Sequence, residues 1–512
     1  MGAVRSAGAA GQVGRIRWGD VLLTAITCVS WSLVGMAGVA ALGLHLLGAD
    51  AAGSLGPMTA AVVVLGAGGS VTPSGDVSAF GLEGAAANTA IEVTPLGVSL
   101  AGALLLAFFF LRSLRPLGTE ITPGELAARA GAVAALFLAM LGGLAWAGHD
   151  VITIDGASLG LDGVPDGGLT DGLPDGLPDG LPDGLGDLLP ERLGDLAEAE
   201  AAVGFTVDTG PSLFGGLVFV LVVLALALLV SRRTPLPAAF SRAHRVVRPA
   251  VSALVTVLLV AVAAGLAAAA YAAAGDEHPG RIAGAALLGA PNGVWLAVPL
   301  GMFVPWEGSA TGVLAEVLPA PLDAFFRMGA DKPATVGRLA SLDGRVWLLV
   351  VAVAVMMLFA GVLGAARTPV GALSPLRFAG LCALRLAVAC AVIVPMLVWL
   401  TVVSADASLS VLGFDAFGAG LSLRGQVGMA LLLGAVWGLV GGGLGALLAW
   451  GAGAAGCLVI PAAGSGPEPG RAGPQAGSPG PYDPAAPFRP ANPDTNPYLR
   501  PRDEFRDPPS GG

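Results

Sequence analysis

Long apolar runs separated by short polar stretches recur from residue 21 to residue 450. A bilayer core of about 30 Å is crossed by roughly 20 helical residues, so each such run predicts a span. Residues 21–47, 95–111, 130–148, 211–230, 249–275, 346–366, 386–405 and 426–450 predict eight transmembrane helices. A ninth run, Ile282 to Trp306, holds 25 residues without a formal charge. Near its middle lie Pro291, Asn292 and Gly293, and Pro299 and Pro305 follow. Pro removes a backbone donor and Gly loosens a helix, so residues 282–306 read as a re-entrant or broken segment rather than a straight span. Met58 to Gly69 is apolar but too short to cross, and is expected to pack against the bundle or lie at the interface.

The expected fold is therefore an all-α integral membrane protein with about eight transmembrane helices and one re-entrant or broken segment. Residues 1–20 form a cytoplasmic N-terminal segment, 21–461 the polytopic domain, and 462–512 a disordered proline-rich tail. The first apolar run is 27 residues long, beyond the 7 to 15 of a signal-peptide core, so an uncleaved anchor is expected.

Charge then orients the chain. The formal net charge of −10 conceals a segregation of signs. Arg5, Arg15 and Arg17 precede the first run; Arg232, Arg233, Arg242, Arg245 and Arg248 crowd another loop. Residues 48–94 carry acids and no Lys or Arg, and residues 149–210 carry fourteen acids against Arg192 alone. Basic loops stay cytoplasmic, so both termini are expected inside and both acidic loops outside. If 282–306 crossed fully, Arg367, Arg377, Arg385 and the tail would face outward; if it re-enters or lies sideways, every strongly basic loop is cytoplasmic. Arg424 is a basic residue that this second arrangement leaves on the outer side.

The acidic loop is built on a tetrapeptide repeat that places Asp171, Asp175, Asp179, Asp183 and Asp187 four apart. Pro in each LPDG unit forbids a helix and Asp-Gly favours turns, so a spacer is expected. Carboxylates four extended residues apart stand roughly 13 Å from one another, too far to converge on one Ca²⁺. A fainter repetition joins Arg115-Pro116, Arg233-Thr234-Pro235 and Arg367-Thr368-Pro369, each after a span, with Arg129, Arg248 and Arg385 at the start of the next. Repeated two-span units would give this pattern, and so would basic loops of similar composition.

Candidate chemistry is sparse. No Walker A loop, HExxH helix, dinucleotide fingerprint or zinc cluster is present, and no cofactor, metal or nucleic-acid partner is expected. Gly156 to Gly160 matches a hydrolase nucleophile pattern, which is cheap among 78 glycines. The leaning is toward a protein that is not an enzyme. Asn292, with Pro291 and Gly293, is either the turn of a re-entrant hairpin or a polar group offered to a solute. Gly434, Gly438 and Gly442 recur four apart in the last span, a ridge that permits close helix packing. In the tail, Pro481, Pro484, Pro487, Pro490 and Pro493 stand three apart, one polyproline II turn each. Pro484, Pro487, Phe488, Pro490 and Tyr498 are candidate docking residues for a cytoplasmic partner with an aromatic-lined groove.

The phrases PLGVSLAGALLLAFFFLRSLRP, APNGVWLAVPLGMFVPW and PAAPFRPANPDTNPYLRP resemble the streptophobe family of hydrophobic actinobacterial membrane proteins. That resemblance implies a cell-membrane location and no mechanism. Two functions follow as expectations: a non-enzymatic envelope protein engaging partners through its external loops or its tail, or a small-solute transporter or channel built around 282–306.

Overall fold

The computed structural model describes residues 17–51, 53–75, 85–115, 122–154, 201–231, 238–311, 333–411 and 414–459. Among them, nine helices are long and apolar enough to cross a membrane. The helices are α1 (Trp18–Leu47), the short α2 (Leu55–Gly66), α3 (Leu96–Leu114), α4 (Pro123–Ala147), α5 (Thr209–Val230) and α6 (Ala238–Ala274). They continue with α7 (Pro279–Gly301), the short α8 (Val336–Leu342), α9 (Trp347–Ala366), α10 (Pro375–Leu400) and α11 (Val427–Gly451). The protein is a helical membrane protein, and the apolar runs mark where its long helices lie.

Helix ends depart from the apolar runs where local chemistry outweighs hydropathy. The expected 130–148 span begins at Pro123, because Thr122 caps the helix by accepting from the Glu125 amide at 3.3 Å, with Pro at the first helical position. The expected 386–405 span is shifted: α10 starts at Pro375 and takes Arg377 and Arg385 into the helix. It stops at Leu400, and Val403 to Ala405 belong to a strand.

The loops outside the helices form a sheet that span counting leaves out. Seven strands, β1 (Ser70–Gly75), β2 (Ala85–Glu92), β3 (His149–Ile154), β4 (Ala201–Asp208), β5 (Trp306–Thr311), β6 (Val403–Val411) and β7 (Phe414–Gly425), run in the order β3-β4-β1-β2-β6-β7-β5. All neighbours are antiparallel. The seam is β2 against β6, eight residue pairs from Ala85–Val411 to Glu92–Ser404, joining loops of the two halves of the chain. The 149–210 loop is therefore not a spacer throughout, since its ends are β3 and β4; its LPDG units lie outside the described residues. The sheet also fixes which helix ends lie together, for α4, α7 and α10 run into strands and α3, α5 and α11 follow them.

Two large cores lie beneath. One gathers α1 to α5 around Phe110, Phe137, Leu106 and Met36, and includes Met58, Ala61, Val63 and Val64 of α2. The short apolar helix thus packs into the bundle. The other gathers α6, α7, α9, α10 and α11 around Met357, Leu386, Val398 and Trp306.

Helix α7 corrects the reading of 282–306 as broken. It runs without interruption through Pro291, Asn292 and Gly293, with Pro299 in its last turn. Proline removes the bond its own nitrogen would donate and crowds the carbonyl four residues back, yet the helix continues past it. Two residues past its end, Phe303 holds a left-handed φ of 71°; its amide donates to the Leu300 carbonyl and that of Val304 to the Pro299 carbonyl. Rings of Trp347 and Trp437 lie 6.4 and 6.5 Å from that of Phe303 and hold a conformation that Gly would normally supply.

Several contacts of α7 lie near sheet-side helix ends, and one lies farther along α6, where Gly265 faces Val294. Gly284 meets Gly43, Leu46 and Leu47 in the last turn of α1, Gly97 at the start of α3 meets Leu287 and Leu288, and Gly301 meets Leu349 and Val353 near the start of α9. At 23 residues α7 is about 34 Å long, yet these contacts fall within about two turns of those ends. It packs Leu288 against one core and Val298 and Leu300 into the other.

Candidate functional site at the junction of α3 and α7

Pro291, Asn292 and Gly293 sit mid-helix, where α7 crosses the start of α3. A helix leaves its first amides without partners inside the helix. Pro95, at the N-cap of α3, has no capping hydroxyl. Asn292 fills that role from a distant helix: its Oδ1 accepts from the Leu96 amide at 2.9 Å, and its Nδ2 donates to the Thr94 carbonyl at 2.7 Å. The amide thus brackets Pro95, making the two bonds that a neighbouring strand would make.

Pro291 prepares the same contact. Without an amide hydrogen it leaves the Leu287 carbonyl, four residues back, without its helical donor. Gly97 presses against that carbonyl so closely that an added Cβ would overlap the Leu287 oxygen. Gly293 faces open space, with nothing within 4 Å of an added Cβ. The arrangement is a lock between α3 and α7: one proline frees an acceptor, one asparagine supplies a cap, and one glycine on α3 admits the close approach.

The glycine ridge of α11 packs inside the chain. An added Cβ would come within 2.8 Å of the Cys390 carbonyl oxygen at Gly434, 2.7 Å of the Ala387 Cα at Gly438 and 2.9 Å of the Ala383 Cα at Gly442, all on α10. Gly441 and Gly445 serve a second face, against Met357 and Gly361 of α9. Pro484, Pro487, Phe488, Pro490 and Tyr498 of the tail lie outside the described residues, as does the Gly156–Gly160 match.

Sequence reasoning missed the buried arginines as structural elements. Arg129 is 3% exposed; it pairs with Glu125 at 3.1 Å and donates to Thr24 Oγ1 of α1 at 3.1 Å. At the corresponding end of the second core, a polar stripe runs along α6 through His244, Arg248, Ser252 and Thr256, each four residues apart. Arg367, at the C-cap of α9, reaches into it and donates to Ser252 Oγ at 3.1 Å and to Thr256 Oγ1 at 3.3 Å. His244 Nε2 lies 3.1 Å from the Leu228 carbonyl, and burial, with a contribution from Arg248, lowers its pKa below 6.5. The four-residue spacing of that stripe was the available signal.

No protein family, curated protein or solved structure matches this chain. Its function must be read from its own geometry. A cleft lined by Pro249, Gly361, Thr368, Cys382 and Arg385 holds about 10 Å³, room for roughly one water. Among the described residues, no three metal-ligating side chains converge.

Proposed function

We propose that this is a cell-membrane protein of the streptophobe kind, non-enzymatic, with eight crossing helices, both termini cytoplasmic, and an outer sheet that engages partners of the envelope. On this reading α7 does not cross; it braces the outer ends of the other long helices. The observation that carries it is the continuous sheet, whose strands come from loops in both halves of the chain and stand at the end away from Arg112, Arg129, Arg367 and Arg377. The acidic loops on that side, and the arginine-rich loops on the other, follow the bias that places basic loops in the cytoplasm, although Arg281, Arg338, Arg345 and Arg424 lie on the sheet side. The proline-rich tail then faces the cytoplasm, where an aromatic-lined groove is its natural partner.

Against a solute pathway at 282–306 stands the use of Asn292, whose oxygen already accepts from the Leu96 amide and whose amide already donates to the Thr94 carbonyl. The discriminating experiment measures flux of a solute panel in proteoliposomes, alongside photo-crosslinking from Ser309 in the edge strand β5 on intact cells. Specific crosslinks from Ser309, absent from a lipid-facing control at Val436, with no flux above empty vesicles, are expected. Flux that disappears in Asn292→Ala would replace this reading with a transporter.

A further inference from the structure

We propose that the chain is two copies of one four-span module, residues 18–230 and 238–451, joined in the same orientation. On this proposal the first copy presents a surface, made of β2 and the start of α3, onto which the second docks. The order of elements repeats: α1, α2, β1, α3, α4, the β3–β4 hairpin and α5 are matched in turn by α6, α7, β5, α9, α10, the β6–β7 hairpin and α11. Packing repeats with it. Helix α1 contacts α2, α3 and α4, and α5 contacts α3 and α4; likewise α6 contacts α7, α9 and α10, and α11 contacts α9 and α10. Within the sheet, the order β3-β4-β1 is matched by β6-β7-β5, antiparallel at each step.

The match extends to single hydrogen bonds. Past α2, the Ala67 amide donates to the Val63 and Val64 carbonyls, that of Gly68 to Leu65, and that of Gly69 to Val64. Past α7, the Met302 amide donates to Val298 and Pro299, that of Phe303 to Leu300, and that of Val304 to Pro299. The two turns agree bond for bond. Gly68 holds a φ of 85°, and Phe303, at its place in the second copy, holds 71°. A left-handed turn suits Gly, so the first copy carries the expected residue and the second a bulky replacement in the same backbone. The last residue of each helix matches too. An added Cβ at Gly66 would meet Val98, third in α3, and one at Gly301 would meet Leu349, third in α9. Helices α4 and α10 each open on a proline behind a hydroxyl residue, Thr122-Pro123 and Ser374-Pro375. Similar composition would repeat arginines, but it would not repeat a turn and its neighbours.

The copies meet head to tail. Strand β2 of the first pairs along eight residues with β6 of the second, and Asn292 of α7 caps α3. A head-to-tail contact uses a different surface on each copy. The partner that β2 and α3 fit is therefore a second module of the same kind, supplied here by the same chain.

The inference rests on the chain spanning a membrane, and not on which end of it is outside. Gly124 and Leu376, each the second residue of its helix and exposed, occupy the same place in the two copies. In a background without the native cysteines, Gly124→Cys and Leu376→Cys should both resist an impermeant thiol reagent on intact cells stripped of outer wall. Both should react in inside-out vesicles. Labelling of both on intact cells would keep the repeat and reverse the proposed orientation. Labelling from opposite sides would overturn the repeat.

The docking surface is tested in the full-length chain with a protease site inserted after Ser231 and a tag at the C-terminus. After cleavage in the membrane, the tagged second module should retain the first in mild detergent. Asn292→Ala should lower that retention. Thr89→Pro with Ala90→Pro, which removes β2 amides opposite Ala407 and Asp406, should lower it several-fold. Flotation of the uncleaved variants with vesicles checks insertion separately. Separation of the wild-type modules on cleavage, or full retention in every variant, would overturn the docking surface.

Discussion

The side-chain oxygen of Asn292 accepts a hydrogen bond from the amide of Leu96, across 196 residues of sequence, and so caps a helix to which it does not belong. The bond ties the first core to α7, which also packs into the second. Removing it leaves the Leu96 amide and the Thr94 carbonyl without these partners. Asn292→Ala should therefore cost about 1 to 2 kcal/mol, read as a lowered midpoint of thermal unfolding in detergent.

Gly293 separates a helix from a turn directly. In a hairpin, its glycine would hold a left-handed backbone and Ala would be strained. In the continuous α7, with open space around it, Gly293→Ala should stabilise by about 0.5 to 1 kcal/mol. A destabilised Gly293→Ala protein would restore the hairpin.

Close approach can be tested at α11. Gly438→Ala brings a Cβ against the α10 backbone at Ala387 and should cost about 1 to 3 kcal/mol. Gly428→Ala, on the same helix with nothing within 4 Å, should be neutral or slightly stabilising. Equal effects on thermal unfolding at both positions would contradict the packing.

The locations of the helices were legible because lipid imposes a long apolar run on any helix that crosses it. The path of α7 was not, since hydropathy measures length and composition and says nothing about direction. Pro291-Asn292-Gly293 has the composition of a turn; the Thr94 and Leu96 groups that make it a cap lie on another helix. The sheet was missed for a related reason. The β-branched run Val151 to Ile154 suits a strand, but β3 pairs with Ala201 to Thr206, beyond the LPDG repeat. The glycine ridge was legible because its spacing of four is local to one helix, whereas its partners, Ala383, Ala387 and Cys390, are not.

His244 should give stability a pH dependence. Burial holds its folded-state pKa below the unfolded value of about 6.5, so the neutral ring is favoured by folding. The contribution is complete above that value and falls as pH drops below it. Unfolding midpoints measured between pH 7.5 and 5 should decline, and His244→Gln should flatten that part of the decline.

The central claim, that both ends of α7 lie on the outer face, is tested most directly by cysteine accessibility at Gly275 and Ser341, which flank it and are exposed. The background must lack the four native cysteines, since Cys457 is itself exposed. Gly275→Cys and Ser341→Cys should both react with an impermeant thiol reagent on intact cells stripped of outer wall. Labelling at position 275 with protection at 341 would mean that the chain crosses between them, and would contradict the account.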